Sequence, residues 1–201
     1  MASTIIATEI GTQGDGCAVV AFLSENAQAQ IANLLRELKQ ELGDTIWTPP
    51  LKALHSTLCE IIQQIPYEED KDVIYKRHHA EYEAALQEVL ACFGPIRIAF
   101  DRIEVSPNAI IIRGDDTGTF NQIRALLTEK LPFPPGTRRP PDIIHSSIAR
   151  FLKEEDLDMV EQVVARHSIN FEEIVTEFLL LYPVSPYVLD YQVVRRYPLQ
   201  G

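Results

Sequence analysis

The chain has 201 residues, 46% of them apolar, enough to bury a core in one domain or in two small lobes that share an interface. Its 18 basic residues against 29 acidic ones leave a formal charge of -11. This argues against sequence-independent binding of long duplex nucleic acid, whose affinity rests on phosphate neutralisation, but leaves room for a small anion in a locally basic pocket.

Three scattered cysteines, Cys17, Cys59 and Cys92, show no Cys-x-x-Cys spacing, so neither a disulfide framework nor a zinc knuckle is indicated and the reducing cytosol fits best. Residues 1–16 carry no Lys or Arg and no long apolar run. No secretory signal is expected there, and no stretch of the chain is suited to spanning a bilayer. The expectation is a cytoplasmic protein without membrane association.

After a loose Gly/Thr-rich leader, residues 17–23 form a short apolar run of strand length. Ser24 and Glu25 mark a helix start, Ile31, Leu34, Leu35, Leu38 and Leu42 recur at helical spacing, and Gly43 closes the helix. Pro49 and Pro50 interrupt the pattern, so residues 51–62 begin afresh as a strand. Residues 67–93 read as a long, mostly exposed helix closed by Gly94-Pro95. Alternation from Ile96 to Asp101, a turn at Ser106-Pro107-Asn108 and an apolar run at residues 109–113 predict a hairpin. A helix over 119–130, a Pro-rich loop, a strand over 143–152, a helix over 154–167 and strands over 169–182 and 189–197 complete the chain.

The order of elements repeats. From Cys17 to His55 is 38 residues, from Asn108 to His145 is 37, and Pro49-Pro50 and Pro140-Pro141 stand ahead of the two histidines. The predicted fold is α+β, a single unit over residues 1–201. It has two similar lobes, roughly 17–105 and 108–197, related by a pseudo-twofold, with antiparallel sheets around a central cleft and helices outside.

Each half carries a short motif on a strand, His55-Ser56-Thr57-Leu58 and His145-Ser146-Ser147-Ile148. Strand side chains alternate in direction, so His55 shares a face with Thr57 and His145 with Ser147, each pair about 6.5 Å apart along the strand. Two imidazoles and two hydroxyls converging on one phosphate supply a base, an acid and donors for the non-bridging oxygens. One such string is weak evidence; two, on strands behind Pro-rich loops and about 90 residues apart, are strong.

The doubled His-x-Thr/Ser-hydrophobic pattern resembles the two-histidine (2H) phosphoesterase superfamily, in its 2',5'-RNA ligase and cyclic-nucleotide phosphodiesterase branch. The run from His145 to Arg150 extends the match to an arginine often seen after the second motif. The resemblance implies a bilobed fold, His55 and His145 as the catalytic pair, and Thr57 and Ser147 as phosphate ligands. The expected activity is metal-independent, cofactor-free cleavage of a 2',3'-cyclic or 2',5'-linked phosphodiester in a nucleotide or RNA end. The alternative is a nucleotide- or RNA-end-binding module with the same pocket and little catalysis.

Among the remaining residues, Arg138 and Arg139 form a local basic spot ahead of the second motif and are candidate substrate contacts. Arg150, at an odd offset from His145, is expected on the opposite face in a structural ion pair. Cys59, at an even offset from His55, is expected on its face as a packing residue. His78 and His79 are adjacent on a helix and cannot chelate one metal together, and His167 is expected to cap a helix end. Trp47, Phe133 and Tyr187 are loop aromatics suited either to packing or to stacking on a base.

Overall fold

The structure is a computed structural model that describes residues 2–140 and 142–200; the second Pro-Pro pair therefore lies partly outside the described residues. The strands form two antiparallel sheets. The four-stranded sheet has the order β3 (His55–Ile62), β1 (Gly16–Phe22), β8 (Glu177–Val184), β9 (Tyr191–Pro198). The five-stranded sheet has the order β2 (Ile46–Trp47), β6 (Ile144–Phe151), β5 (Ala109–Asp115), β4 (Ile96–Ser106), β7 (Phe171–Val175). Helices α1 (Glu25–Leu42) and α4 (Leu157–Val164) lie on the five-stranded sheet, and α2 (Lys71–Leu90) and α3 (Thr119–Lys130) on the other side of the molecule, where α3 touches β3 and α2 touches β9. The α+β architecture of two antiparallel sheets flanked by helices is thus as the sequence predicts.

Local chemistry accounts for the helices. Ser24 Oγ accepts from Ala27 N to cap α1, Gly43 ends it at φ 59°, and Ile31, Leu34, Leu35, Leu38 and Leu42 are buried. The buried Glu173 carboxylate on β7 reaches across to accept from both Ser24 N and Ser24 Oγ, at 3.1 and 2.7 Å, placing a negative charge at the helix N-terminus. Asp70 caps α2 by accepting from Asp72 N and Val73 N, and that helix buries a one-sided stripe including Tyr82 and Leu86.

Tertiary pairing revises three expectations. The predicted strand over 169–182 is two strands rather than one: the chain breaks at Thr176, and β7 joins the five-stranded sheet while β8 joins the four-stranded one. The predicted helix over 154–167 spans only Leu157–Val164. The leader is not loose: Thr4 N donates to Glu155 O, Ile5 N to Pro107 O and Ala7 N to Phe151 O at 2.7–2.9 Å, which lays residues 4–7 along the five-stranded sheet and beside the cleft.

The sheets exchange chain. β4 follows α2 yet pairs with β5, and β8 follows β7 yet pairs with β1. In both sheets a motif strand pairs with the strand that opens its half, β3 with β1 and β6 with β5.

Candidate active site

Both motif strands carry a β-bulge three residues after the histidine. Val19 faces Cys59 but Val20 faces Thr57, leaving Leu58 as the extra residue; Ile110 faces Ala149 but Ile111 faces Ser147, leaving Ile148 as its counterpart. An extra residue reverses the alternation beyond it. Leu58 and Cys59 therefore both face the core, as do Ile148 and Ala149, and the next residues, Glu60 and Arg150, return to the cleft face with His55, Thr57, His145 and Ser147. Two expectations are corrected. Cys59 lies on the core side and not beside His55, and Arg150 lies beside His145 and not behind it.

The resulting cleft, of about 680 Å³, is lined by both histidines, both hydroxyl residues, Glu60, Arg150, Arg138 and Arg139. The intervening Ser56 and Ser146 are each 1% exposed, so the two strands present alternate residues in matched fashion.

The two imidazoles differ in support. His55 Nδ1 lies 2.7 Å from the Ala53 carbonyl, which requires Nδ1–H as donor and leaves Nε2 as the open nitrogen. His145 Nδ1 is buried with no hydrogen-bond partner; the Ile143 carbonyl, in the equivalent place, accepts from Arg124 Nη1 at 3.0 Å and only pulls the imidazole pKa upward without bonding geometry. Burial lowers the pKa of both rings. For His55 the Ala53 carbonyl opposes burial and Arg150 adds to it. For His145, burial together with Arg124, His55 and Arg150 brings the pKa to about 4. Both rings are therefore neutral near pH 7, and an anion between them would raise both.

Arg150 is held by cleft groups. Its Nη2 donates to Ser147 Oγ at 3.0 Å, its guanidinium sits 4.6 Å from the centre of the Tyr187 ring, and its Nε is buried without a partner. Because Nη2 uses the hydroxyl oxygen of Ser147 as acceptor, the hydroxyl hydrogen is left to donate elsewhere. Tyr187 in turn lies 5.7 Å from Trp47, which faces Arg150 across the β2–β6 ladder. Tyr187 (φ 61°) and the β-branched Val188 (φ 56°) both occupy left-handed backbone, a strained turn that holds the ring over the cation. Glu60 remains open to solvent, yet crowding by protein pushes its carboxyl pKa up while Arg150 pulls it down.

Arg124, on α3, ties the two motif strands together from the core side and is only 5% exposed. Its Nε donates to Leu58 O and its Nη2 to Thr57 O, both at 2.9 Å, and its Nη1 to Ile143 O at 3.0 Å. One guanidinium thus fixes the strand carrying His55 against the start of the strand carrying His145.

Arg138 and Arg139 are exposed at the cleft rim. Their loop is clamped to the end of β3, where Gln63 accepts from Arg138 N and donates to Arg138 O, both at 2.9 Å, and Tyr67 OH lies 3.1 Å from Thr137 Oγ1. Trp47 and Tyr187 line the cleft, whereas Phe133 packs against the core.

The other histidines stand elsewhere. His78 Nδ1 contacts Glu81 and His79 Nδ1 the Lys76 carbonyl, both on α2. His167 lies beyond the end of α4 and bridges to Glu37 and Glu41 of α1, a tie between helices rather than the expected cap. Among the described residues no three His, Cys, Asp or Glu side chains converge to hold a metal ion, and no helix is long and apolar enough to cross a membrane.

Comparison with known proteins identifies the family and the fold. A model of the 2'-5' RNA ligase superfamily matches residues 65–184, taking in the second motif but not the first. No curated protein sequence matches the chain. TT0787 of Thermus thermophilus superposes with a TM-score of 0.68 at 18% identity, covering 92% of this chain and 98% of its own. E. coli LigT complexed with 3'-AMP superposes with a TM-score of 0.61 at 14% identity, covering 94% of this chain and 100% of its own. A protein of unknown function from Agrobacterium tumefaciens gives 0.56 at 15%, covering 94% and 88%. These identities speak for a shared fold; the family model spans more than half of the sequence, and the chain belongs to the 2'-5' RNA ligase superfamily.

Proposed function

We propose that the cleft cleaves a 2',3'-cyclic or 2',5'-linked phosphodiester of a nucleotide or RNA end by two-histidine acid–base catalysis, with no metal or cofactor in the step. The observation that carries this is the mirrored pair of bulged strands, each aiming an imidazole and a hydroxyl into one cleft. The superfamily's phosphodiesterase chemistry supports it, and so does the binding of 3'-AMP and of phosphate by E. coli LigT, a structural relative.

Neutral His145, whose pKa is the one brought to about 4, takes a proton from the attacking water as its oxygen bonds to phosphorus. The bond from phosphorus to the ribose oxygen opposite breaks, and His55 gives its proton to that leaving oxygen. The Ala53 carbonyl opposite Nδ1 of His55 favours its protonated form once an anion is bound, which suits it to be the acid. Solvent then reloads His55 and unloads His145. Thr57, Ser147 and Arg150 donate to the non-bridging oxygens. For ring closure or ligation the two imidazoles exchange roles.

The test is turnover of 2',3'-cyclic mononucleotides and 2',5'-linked dinucleotides in the presence of a chelator, with wild type, His55→Ala and His145→Ala. Each substitution is expected to lower kcat by about 10²–10⁴ without lowering the unfolding midpoint. Full activity in either variant, or none in the wild type on any member of the panel, would overturn the proposal.

A further inference from the structure

The cleft does not end at Trp47. Trp47 and Pro49 line it on one side and, on the other, line a second, shallower groove against α1, floored by Leu35, Pro50 and Leu51 and edged by Arg36 and Lys39. Ala32, Leu35, Arg36 and Lys39 follow the i, i+3, i+4, i+7 spacing that puts them on one helix face. Arg36 and Lys39 are exposed; Arg36 donates only to Asn33 Oδ1, and neither makes an ion pair among the described residues. In a chain with 29 acidic residues, no described carboxylate lines this groove. A chain of contacts therefore runs from Ser147 to Arg150 at 3.0 Å, from Arg150 to the Tyr187 ring at 4.6 Å and from Tyr187 to Trp47 at 5.7 Å, and Trp47 shares the lining of the second groove with the two cations.

Resting on the function proposed above, we infer that this groove is a binding site for the single-stranded nucleotide chain flanking the scissile phosphate. A base stacks on Trp47 and the next phosphate is held by Arg36 and Lys39, so that the preferred substrate is an oligonucleotide end and not a mononucleotide. Aromatic faces beside cations are the two elements that sequence-tolerant single-strand binding requires. The overall charge of -11 is too negative for a long duplex.

Trp47 is the one tryptophan in the sequence, so its emission reports on the groove without any need for turnover. In a His55→Ala/His145→Ala background, a short single-stranded oligoribonucleotide with a 3'-phosphate is expected to quench it at least tenfold more tightly than the corresponding 3'-mononucleotide. Arg36→Glu/Lys39→Glu is expected to weaken oligonucleotide binding at least tenfold, flatten its salt dependence and leave mononucleotide binding unmoved. Arg36→Gln/Lys39→Gln, free of introduced negative charge, should show the same trend. Equal affinity for the two ligands, or oligonucleotide binding unmoved by both double substitutions, would overturn the site. Failure of the catalytic proposal looks different: the wild type would bind the oligonucleotide and cleave neither 2',3'-cyclic mononucleotides nor 2',5'-linked dinucleotides.

Discussion

Glu60 and Arg150 occupy the same place in the two halves, each five residues after its motif histidine and each returned to the cleft by a bulge. The matched positions carry opposite charges. In the proposed reaction Arg150 donates to the phosphate, while Glu60 would oppose an anion and is itself pushed toward its protonated form by crowding. Arg150→Ala is expected to lower kcat/KM for a 2',3'-cyclic nucleotide by about 10²–10³, the scale of losing one preorganised donor to a developing charge. Glu60→Gln should tighten inorganic phosphate binding. Steady-state kinetics and phosphate titration check the pair; an Arg150→Ala enzyme with wild-type kcat/KM would remove Arg150 from the reaction.

Arg124 does for the backbone what the bulges do for the side chains. Arg124→Met leaves the carbonyls of Thr57, Leu58 and Ile143 without their shared donor. The expected loss is about 3 kcal/mol. Arg124→Lys keeps the charge but lacks the span to reach both strands, so it should fold at 25 °C with a lowered kcat and faster amide exchange in β3 and β6. Urea denaturation and hydrogen exchange measure both effects, and a loss under about 1 kcal/mol for Arg124→Met would show that the strands hold their places without it.

What could be read from the sequence was what local chemistry decides. Ser24, the apolar stripe from Ile31 to Leu42 and Gly43 specify α1 within one segment, and strand alternation places His55 with Thr57 and His145 with Ser147 before any partner strand is known. The misplacements share one cause. A bulge is a property of a pair of strands, so parity counted along a single strand sent Arg150 away from the cleft and Cys59 into it. Likewise, only competition between two sheets splits the predicted strand over 169–182 at Thr176, and Arg124 meets Leu58 across 66 residues of sequence. Glu60, Arg124 and the clamped leader carried no signal in residue type or spacing.

The corrected position of Cys59 has a chemical consequence. Cys17 and Cys59 are buried in the core, burial pushes the Cys59 thiol up to about 12 and the Cys17 thiol well up, and Cys92 is exposed. Because thiolates are the reactive form, a maleimide is expected to label Cys92 alone in the native protein and all three cysteines in denaturant. Peptide mass mapping decides it; native labelling of Cys59 at the rate of Cys92 would place that thiol back in the cleft.

His145 makes folding and ligand binding depend on pH, with a sign that the structure fixes. Its folded pKa of about 4 lies below the unfolded value of 6.5, so on acidification the unfolded chain takes up the proton first. The stability contributed by a neutral His145 is full above about pH 6.5 and is lost as the pH falls toward about 4. His55 acts in the same direction, and Glu60, with its pKa raised, opposes both over the lower part of that window. The slope from one histidine is at most about 1.4 kcal/mol per pH unit, and solvent in the cleft keeps it below that limit. Urea denaturation between pH 4.5 and 7 should therefore show stability rising with pH, with a flatter rise in His145→Asn. In the proposed site phosphate lies between the rings and raises both pKa values, so its binding at pH 6 should take up protons. Isothermal titration in two buffers of different ionisation enthalpy measures that uptake, which His145→Asn should reduce. Binding without proton exchange in the wild type would mean that the anion does not sit between the two imidazoles.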